Sequence, residues 1–205
     1  MAITALAAPP PAPASAPRPA PTAAPAGLWD ALAAPGPLPD RAGDHDLYGW
    51  LVGSWDAEVI DHLPDGSVRS QSAEIHFGWA LEGRAILDTW IAPARGDRQP
   101  AAQAPAAGNR YGSTLRWFDP KLGAWRIQWV NPVSGVVNSL VGRRVGADIV
   151  QTGADADGRL VRWAFTEIRP DSFHWLGESS EDGGRSWLLE TEFLARRRGS
   201  EPSGE

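Results

Sequence analysis

From Trp55 onward, apolar and polar positions alternate with period two, the spacing of strands that bury one face. Val68–Trp79 sets Ile75, Phe77 and Trp79 against Glu74 and His76, and Trp125, Ile127 and Trp129 alternate with Arg126 and Gln128. Arg84–Ile91, Tyr111–Phe118, Val136–Val141, Asp148–Gln151, Arg159–Thr166, Ser172–Glu178 and Ser186–Arg196 extend the series. Between them stand Pro64-Asp-Gly66, Glu82-Gly83, Asp119-Pro120, Asn131-Pro132, Gly146, Asp155-Ala-Asp-Gly158, Arg169-Pro-Asp171 and Glu181-Asp-Gly-Gly184. In such turns Gly supplies positive φ, Pro presets φ, and Asp bonds nearby amides. About ten short strands with no helical period between them predict an all-β fold. The short connections favour a single up-and-down antiparallel β-barrel, since closure removes exposed strand edges.

Ahead of Trp55 the pattern differs. Residues 1–27 are Ala/Pro low complexity, which cannot bury enough apolar surface to offset chain entropy and is expected to be disordered. Leu28–Leu32 reads as one helical turn, stopped by Pro35-Gly-Pro37. Leu47, Trp50 and Leu51 follow the cap candidates Asp44 and Asp46 at helical spacing, predicting a short N-terminal helix that closes one end of the fold. The expected organisation is a tail and lead-in over 1–43, a barrel over 44–198 and a flexible C-terminus over 199–205. The stretch Pro93–Asn109 is longer than a hairpin needs and is expected to cover the barrel mouth as a lid.

Composition narrows the function classes. The net charge is −6 and the longest basic run is Arg196-Arg197-Arg198, so the clustered cations that replace phosphate counterions are missing and no nucleic-acid partner is expected. With no cysteine in the chain, disulfides, thiolate nucleophiles and Cys-ligated zinc are excluded. No apolar run approaches a membrane span, and the N-terminus lacks the charged and apolar regions of a secretory signal. The expectation is a cytoplasmic protein without a membrane partner. Of the four histidines, His45 and His62 lie near ends or turns, and no His/Asp/Glu cluster has ligand spacing, so no metal is expected. Eleven tryptophans make indole the main core material, since each can bury roughly 200 Å² or more.

If the aromatic face points inward, the lumen receives Trp55, Trp79, Leu115, Trp117, Trp129, Trp163, Phe165, Phe173, Trp175, Trp187, Leu189 and Phe193. Arg116, Arg126, Arg162, Glu178, Glu190 and Glu192 then face solvent. One strand breaks the rule, because placing Trp90 and Ile86 inward also places Asp88 inward. A carboxyl among indoles has its pKa raised unless a donor meets it, and a raised carboxyl suits general acid–base work. The competing reading has Asp88 bonding an indole N–H or turn amides near the rim. Asn131 and Asn138 are candidates for further polar contacts.

Gly53-Ser-Trp55 at the head of the first strand resembles the opening signature of lipocalins and related calycin barrels. That resemblance implies a tryptophan plugging one end, crossed by an arginine from the last strand, with Arg196, Arg197 and Arg198 in the right region. More specifically, three segments resemble a bacterial lipocalin-like family of unknown function. They are His76-Phe-Gly-Trp-Ala-Leu-Glu-Gly-Arg-Ala-Ile-Leu-Asp-Thr-Trp90, Gly112-Ser-Thr-Leu-Arg-Trp-Phe-Asp-Pro120, and the run from Asp171-Ser-Phe-His-Trp175 to Ser180-Glu-Asp-Gly-Gly-Arg-Ser-Trp187. This implies a barrel and no particular activity. Nitrobindins, a distantly similar group of haem barrels, open with Gly-x-Trp-x-Gly-x-Gly. Here Asp56-Ala-Glu58 follows Trp55, and alternation puts His174 on the outer face. The run Ser180–Trp187 also resembles the Asp-box hairpin of sialidase-type propellers, which as a single copy implies a folding device.

Several functional readings follow. The first is a module binding a small apolar or aromatic ligand, with Trp90, Trp117, Trp129, Trp163, Trp175, Asn131 and Asn138 as the contact set and no cofactor. The alternative is a lipocalin-like enzyme of hydratase, decarboxylase or cyclase type using Asp88, and a second alternative is haem binding of nitrobindin type. A further reading is a lumen plugged by tryptophan, with an outer face that meets a partner, a homodimer being an open expectation. Fold alone does not choose among these.

Overall fold

The computed structural model describes residues 27–40, 43, 47–98 and 109–199. The expected disordered tail, the caps Asp44 and Asp46, the middle of the expected lid and the end of the C-terminus lie outside the described residues. Helix α1 (Leu28–Leu32) is the single helical turn expected there, with the Gly27 amide donating to Asp30 Oδ2 at 3.0 Å. In place of a second α-helix, the chain makes a 3₁₀ turn over Gly49–Leu51.

Ten strands follow: β1 (Gly53–His62), β2 (Val68–Ala80), β3 (Ala85–Ala92), β4 (Arg110–Asp119), β5 (Ala124–Asn131), β6 (Val136–Val145), β7 (Asp148–Ala154), β8 (Leu160–Thr166), β9 (Ser172–Ser180) and β10 (Leu188–Arg197). Each pairs antiparallel with the next, and β10 returns to β1, giving a closed up-and-down barrel. The closing register sets Trp55 opposite Arg197 and Val59 opposite Phe193.

One end is sealed. The Trp55 indole donates to the Leu51 carbonyl at 2.8 Å, tying the 3₁₀ turn to β1. Trp50, Trp55, Phe165 and Phe173 meet edge to face with ring centroids 4.8–6.1 Å apart, geometry favoured by the ring quadrupoles. Arg197 is the arginine that crosses the plug. Its guanidinium lies 4.1 Å from the Trp55 ring centroid and donates to the carbonyls of Val52 (2.9 Å), Trp50 (2.5 Å) and Pro170 (3.0 Å).

Two strands depart from the simple alternation. In β4, Trp90, Asp88 and Ile86 of β3 stand opposite Gly112, Thr114 and Arg116, so the even-numbered residues face inward. Trp117 is on the outer face, opposite Ala85 and Arg126, which corrects its expected lumen position. The physical reason is that the inward Asp88 needs a cation, which Arg116 supplies. In addition, only glycine fits at position 112, where a Cβ would stand 2.4 Å from the Trp129 ring. In β10 the register shifts between Leu189 and Thr191. That bulge inserts one residue and reverses the alternation upstream. Leu189 faces Glu178 on the outside, Trp187 lies under the Arg162 guanidinium at 4.2 Å, and Glu190 turns toward the mouth.

The hairpin before β10 folds around Asp182. Its carboxylate accepts from the amides of Arg185 and Ser186, both at 2.9 Å, and from the hydroxyls of Ser180 (2.9 Å) and Ser186 (2.7 Å). The Ser186 amide and hydroxyl above all hold its pKa at about 2.

Candidate ligand cavity

At the end opposite the plug the barrel opens into a cavity of about 630 Å³. Its apolar wall is Trp90, Trp129, Trp163, Trp175 and Phe193. Trp163 and Trp175 stand 5.5 Å apart at 56°, Trp90 and Trp175 5.4 Å apart at 53°, and Trp129 and Trp163 6.3 Å apart at 87°. The sheet makes room for these rings with glycines. A Cβ at Gly177 would lie 2.8 Å from the Trp175 ring, just as one at Gly112 would strike Trp129.

The arginines lining the cavity are each paired with a carboxylate. Asp61, on β1 beside the mouth, accepts from Arg110, from Arg69 (2.9 Å) and from the Thr191 hydroxyl (3.0 Å). Burial works to raise its pKa, but the hydrogen bonds, led by Arg110, hold the carboxyl below its ordinary value. Across the mouth, Arg159 donates to Glu190 (2.8 Å), Asp155 (3.0 Å) and Ser179 (3.2 Å). On the floor, Arg116 Nη1 donates to Asp88 Oδ2. The Thr114 amide donates to Asp88 Oδ1 at 2.8 Å.

Asp88 is therefore buried, as expected from β3, but its partners are neither an indole N–H nor turn amides. The donor that would offset its desolvation is present. The residues lining the cavity include Arg116 and Thr114 but not Asp88, so the carboxylate has no open face for acid–base work. Burial pushes the Arg116 guanidinium down to about 10, leaving it charged at neutral pH. Beneath the cavity, the Tyr48 hydroxyl, both amide atoms of Gln151 and Arg116 Nε are buried without hydrogen-bond partners among the described residues. Burial raises the Tyr48 phenol well above its ordinary value.

Of the expected contact set, Trp90, Trp129, Trp163, Trp175, Asn131 and Asn138 line the cavity together, and Trp117 does not. Sequence reasoning missed Arg110, Arg116, Arg159 and Glu190. One signal was available for Arg116: an inward Asp88 demands a cation within reach on the inward face of a neighbouring strand. The bulge that turns Glu190 inward has no mark in the local pattern.

His62, His76 and His174 all lie on the outer wall. Glu192 bridges His62 and His174 at 2.7 Å each, while His76 contacts Ser54 and Glu74. None of the described histidines reaches the lumen to offer the ligand that haem of the nitrobindin kind requires.

No protein-family model matches the chain, and no curated protein sequence matches it. Among solved structures, the barrel is similar to the crystal structure of Rv2717c from M. tuberculosis, with a TM-score of 0.52 and 14% identity over 77% of this chain and 99% of that one. It is also similar to the S-type phycobiliprotein lyase CPES from Guillardia theta, with a TM-score of 0.51 and 13% identity over 77% and 93% of the two chains. At such identities the likeness concerns the fold, and it fits a lipocalin- or calycin-like barrel. No helix among the described residues is long and apolar enough to cross a membrane.

Proposed function

We propose that the protein binds a small, planar, mainly apolar molecule inside the barrel. The observation that carries this reading is the cavity of about 630 Å³ walled by Trp90, Trp129, Trp163, Trp175 and Phe193. Small-molecule sites span roughly 300–1,000 Å³ and combine apolar walls with a few placed polar groups. Four indoles around an open mouth give flat faces for stacking at little conformational cost. One neighbour of the same fold is a phycobiliprotein lyase, but at 13% identity its activity does not transfer. The reading is not extended to catalysis by Asp88, whose oxygens are both held by the barrel wall.

The test is native mass spectrometry of protein purified from its own host, with tryptophan fluorescence titrations against planar aromatic compounds. A bound mass at one molecule per chain and saturable quenching are the expected results. An unliganded mass, with no quenching by any compound, would sink the proposal in favour of a plugged barrel.

A further inference from the structure

Among the described residues lining the cavity, Trp90 Nε1, Arg116 Nε and Asn138 Oδ1 are buried without hydrogen-bond partners, and of the three side chains only Asn138 can both donate and accept. Asn138 faces inward from β6, directly opposite Trp129, and is 7% exposed. Its Oδ1 is buried without a partner, and no side-chain hydrogen bond joins it to another described residue. Leaving a buried amide oxygen unmatched is destabilising, and a leucine of similar shape would suit an indole wall better. Its neighbour Asn131 has a structural role, since Asn131 Oδ1 accepts from the Val133 amide at 3.1 Å and holds the β5–β6 turn. Asn138 has no such duty.

A primary amide offers a donor and an acceptor side by side. Which end carries the oxygen is interchangeable by a flip, so the pair is available either way. The matching partner is a flat ring edge carrying an adjacent N–H and C=O, joined by two parallel hydrogen bonds. Asn reads the donor–acceptor edge of adenine in the same bidentate way. Charge narrows the class further, because Arg110 is matched by Asp61, Arg116 by Asp88, and Arg159 by Asp155 and Glu190. Among the described residues lining the cavity, no arginine is left over to neutralise an anionic ligand.

We infer that the cavity takes an uncharged, planar heteroaromatic lactam, with its N–H/C=O edge on the Asn138 amide and its ring among Trp129, Trp163 and Trp175. This rests on the ligand-binding reading above, and the experiment separates the two. The full-length protein is titrated by calorimetry with 2-quinolone, which has the lactam edge, with N-methyl-2-quinolone, which lacks the donor, and with naphthalene, which lacks both. The expected result is that 2-quinolone binds about tenfold or more tighter than its N-methyl analogue. Asn138→Leu brings that ratio to about one and leaves naphthalene binding in place. Asn138→Ala, which removes both the donor and the acceptor, also brings the ratio to about one and serves if the leucine variant does not fold. Equal binding of the two quinolones to the unmodified protein, or a ratio that survives both substitutions, overturns the lactam assignment while naphthalene binding upholds the cavity. Failure of all three compounds to bind overturns both.

Discussion

Asp88 and Arg116 form an ion pair inside the barrel wall, each 1% exposed. Arg116 lies two residue pairs further along the β3–β4 ladder from Asp88, and the Thr114 amide fills the other carboxylate oxygen. The pair turns two groups that are costly to desolvate into a neutral unit. It also fixes which face of β4 looks inward, and therefore that Trp117 looks out.

Breaking this pair from one side leaves a buried charge without a partner, which costs about 3–5 kcal/mol. Asp88→Asn and Arg116→Met are each expected to lower the free energy of unfolding by that order in denaturant titrations. The double variant Asp88→Leu/Arg116→Met, which removes both charges, recovers most of the loss. Additive losses in the double variant would contradict the pairing.

Arg197 ties the last strand to the plugged end of the barrel by holding the carbonyls of Trp50, Val52 and Pro170 while covering Trp55. Lysine carries the charge but not the planar fork. Arg197→Lys is expected to cost about 1–3 kcal/mol, since charge-assisted hydrogen bonds to carbonyls are lost. The emission of the plug tryptophans should shift in the native state as the cover loosens. An unfolding midpoint unchanged from the parent protein would remove Arg197 from the closure.

Much of this architecture was legible before the structure. Gly53-Ser-Trp55 and a late arginine marked the closure, and the spacing of turn residues marked the strands. Two features were hidden for identifiable reasons. In β4, Tyr111, Leu115 and Trp117 form the more apolar set, so alternation alone selects the wrong face. The deciding interaction lies across the ladder, between Asp88 and Arg116, and local periodicity carries no record of it. In β10 the bulge after Leu189 changes the register without an unusual residue to announce it. The cavity itself depends on whether the indoles fill the lumen, which is a property of their packing and not of their number.

The outer wall carries a pH-dependent contact. Glu74, 4% exposed, accepts from the Arg95 side chain and amide, and these bonds hold its pKa at about 2 against an ordinary 4.5, with burial opposing. Because the folded-state pKa is depressed, the stabilisation is fully present above about pH 4.5 and disappears as pH falls toward 2. Arg95 is more than half exposed, so screening limits the contribution to about 1–2 kcal/mol. Glu74→Gln is expected to flatten the stability profile between those pH values and to lower stability at neutral pH. An unchanged profile in chemical denaturation would show that Arg95 does not engage Glu74 in solution.

The sharpest test of the cavity wall compares two tryptophans that the sequence pattern treats alike. Trp163 lines the cavity and meets Trp129 and Trp175, whereas Trp117 lies outside the barrel. The same substitution at both positions separates lumen from surface. Trp163→Leu removes a stacking face and is expected to weaken naphthalene binding roughly tenfold, in line with aromatic contacts of about 0.5–1.5 kcal/mol plus lost apolar burial. Trp117→Leu should leave that affinity unchanged within about twofold, because no atom of Trp117 borders the cavity. Calorimetry on both variants, each checked for an unchanged barrel by circular dichroism, decides the matter. Equal weakening by the two substitutions would mean that the probe sits elsewhere, whereas loss confined to Trp163→Leu places it between the indoles of the lumen.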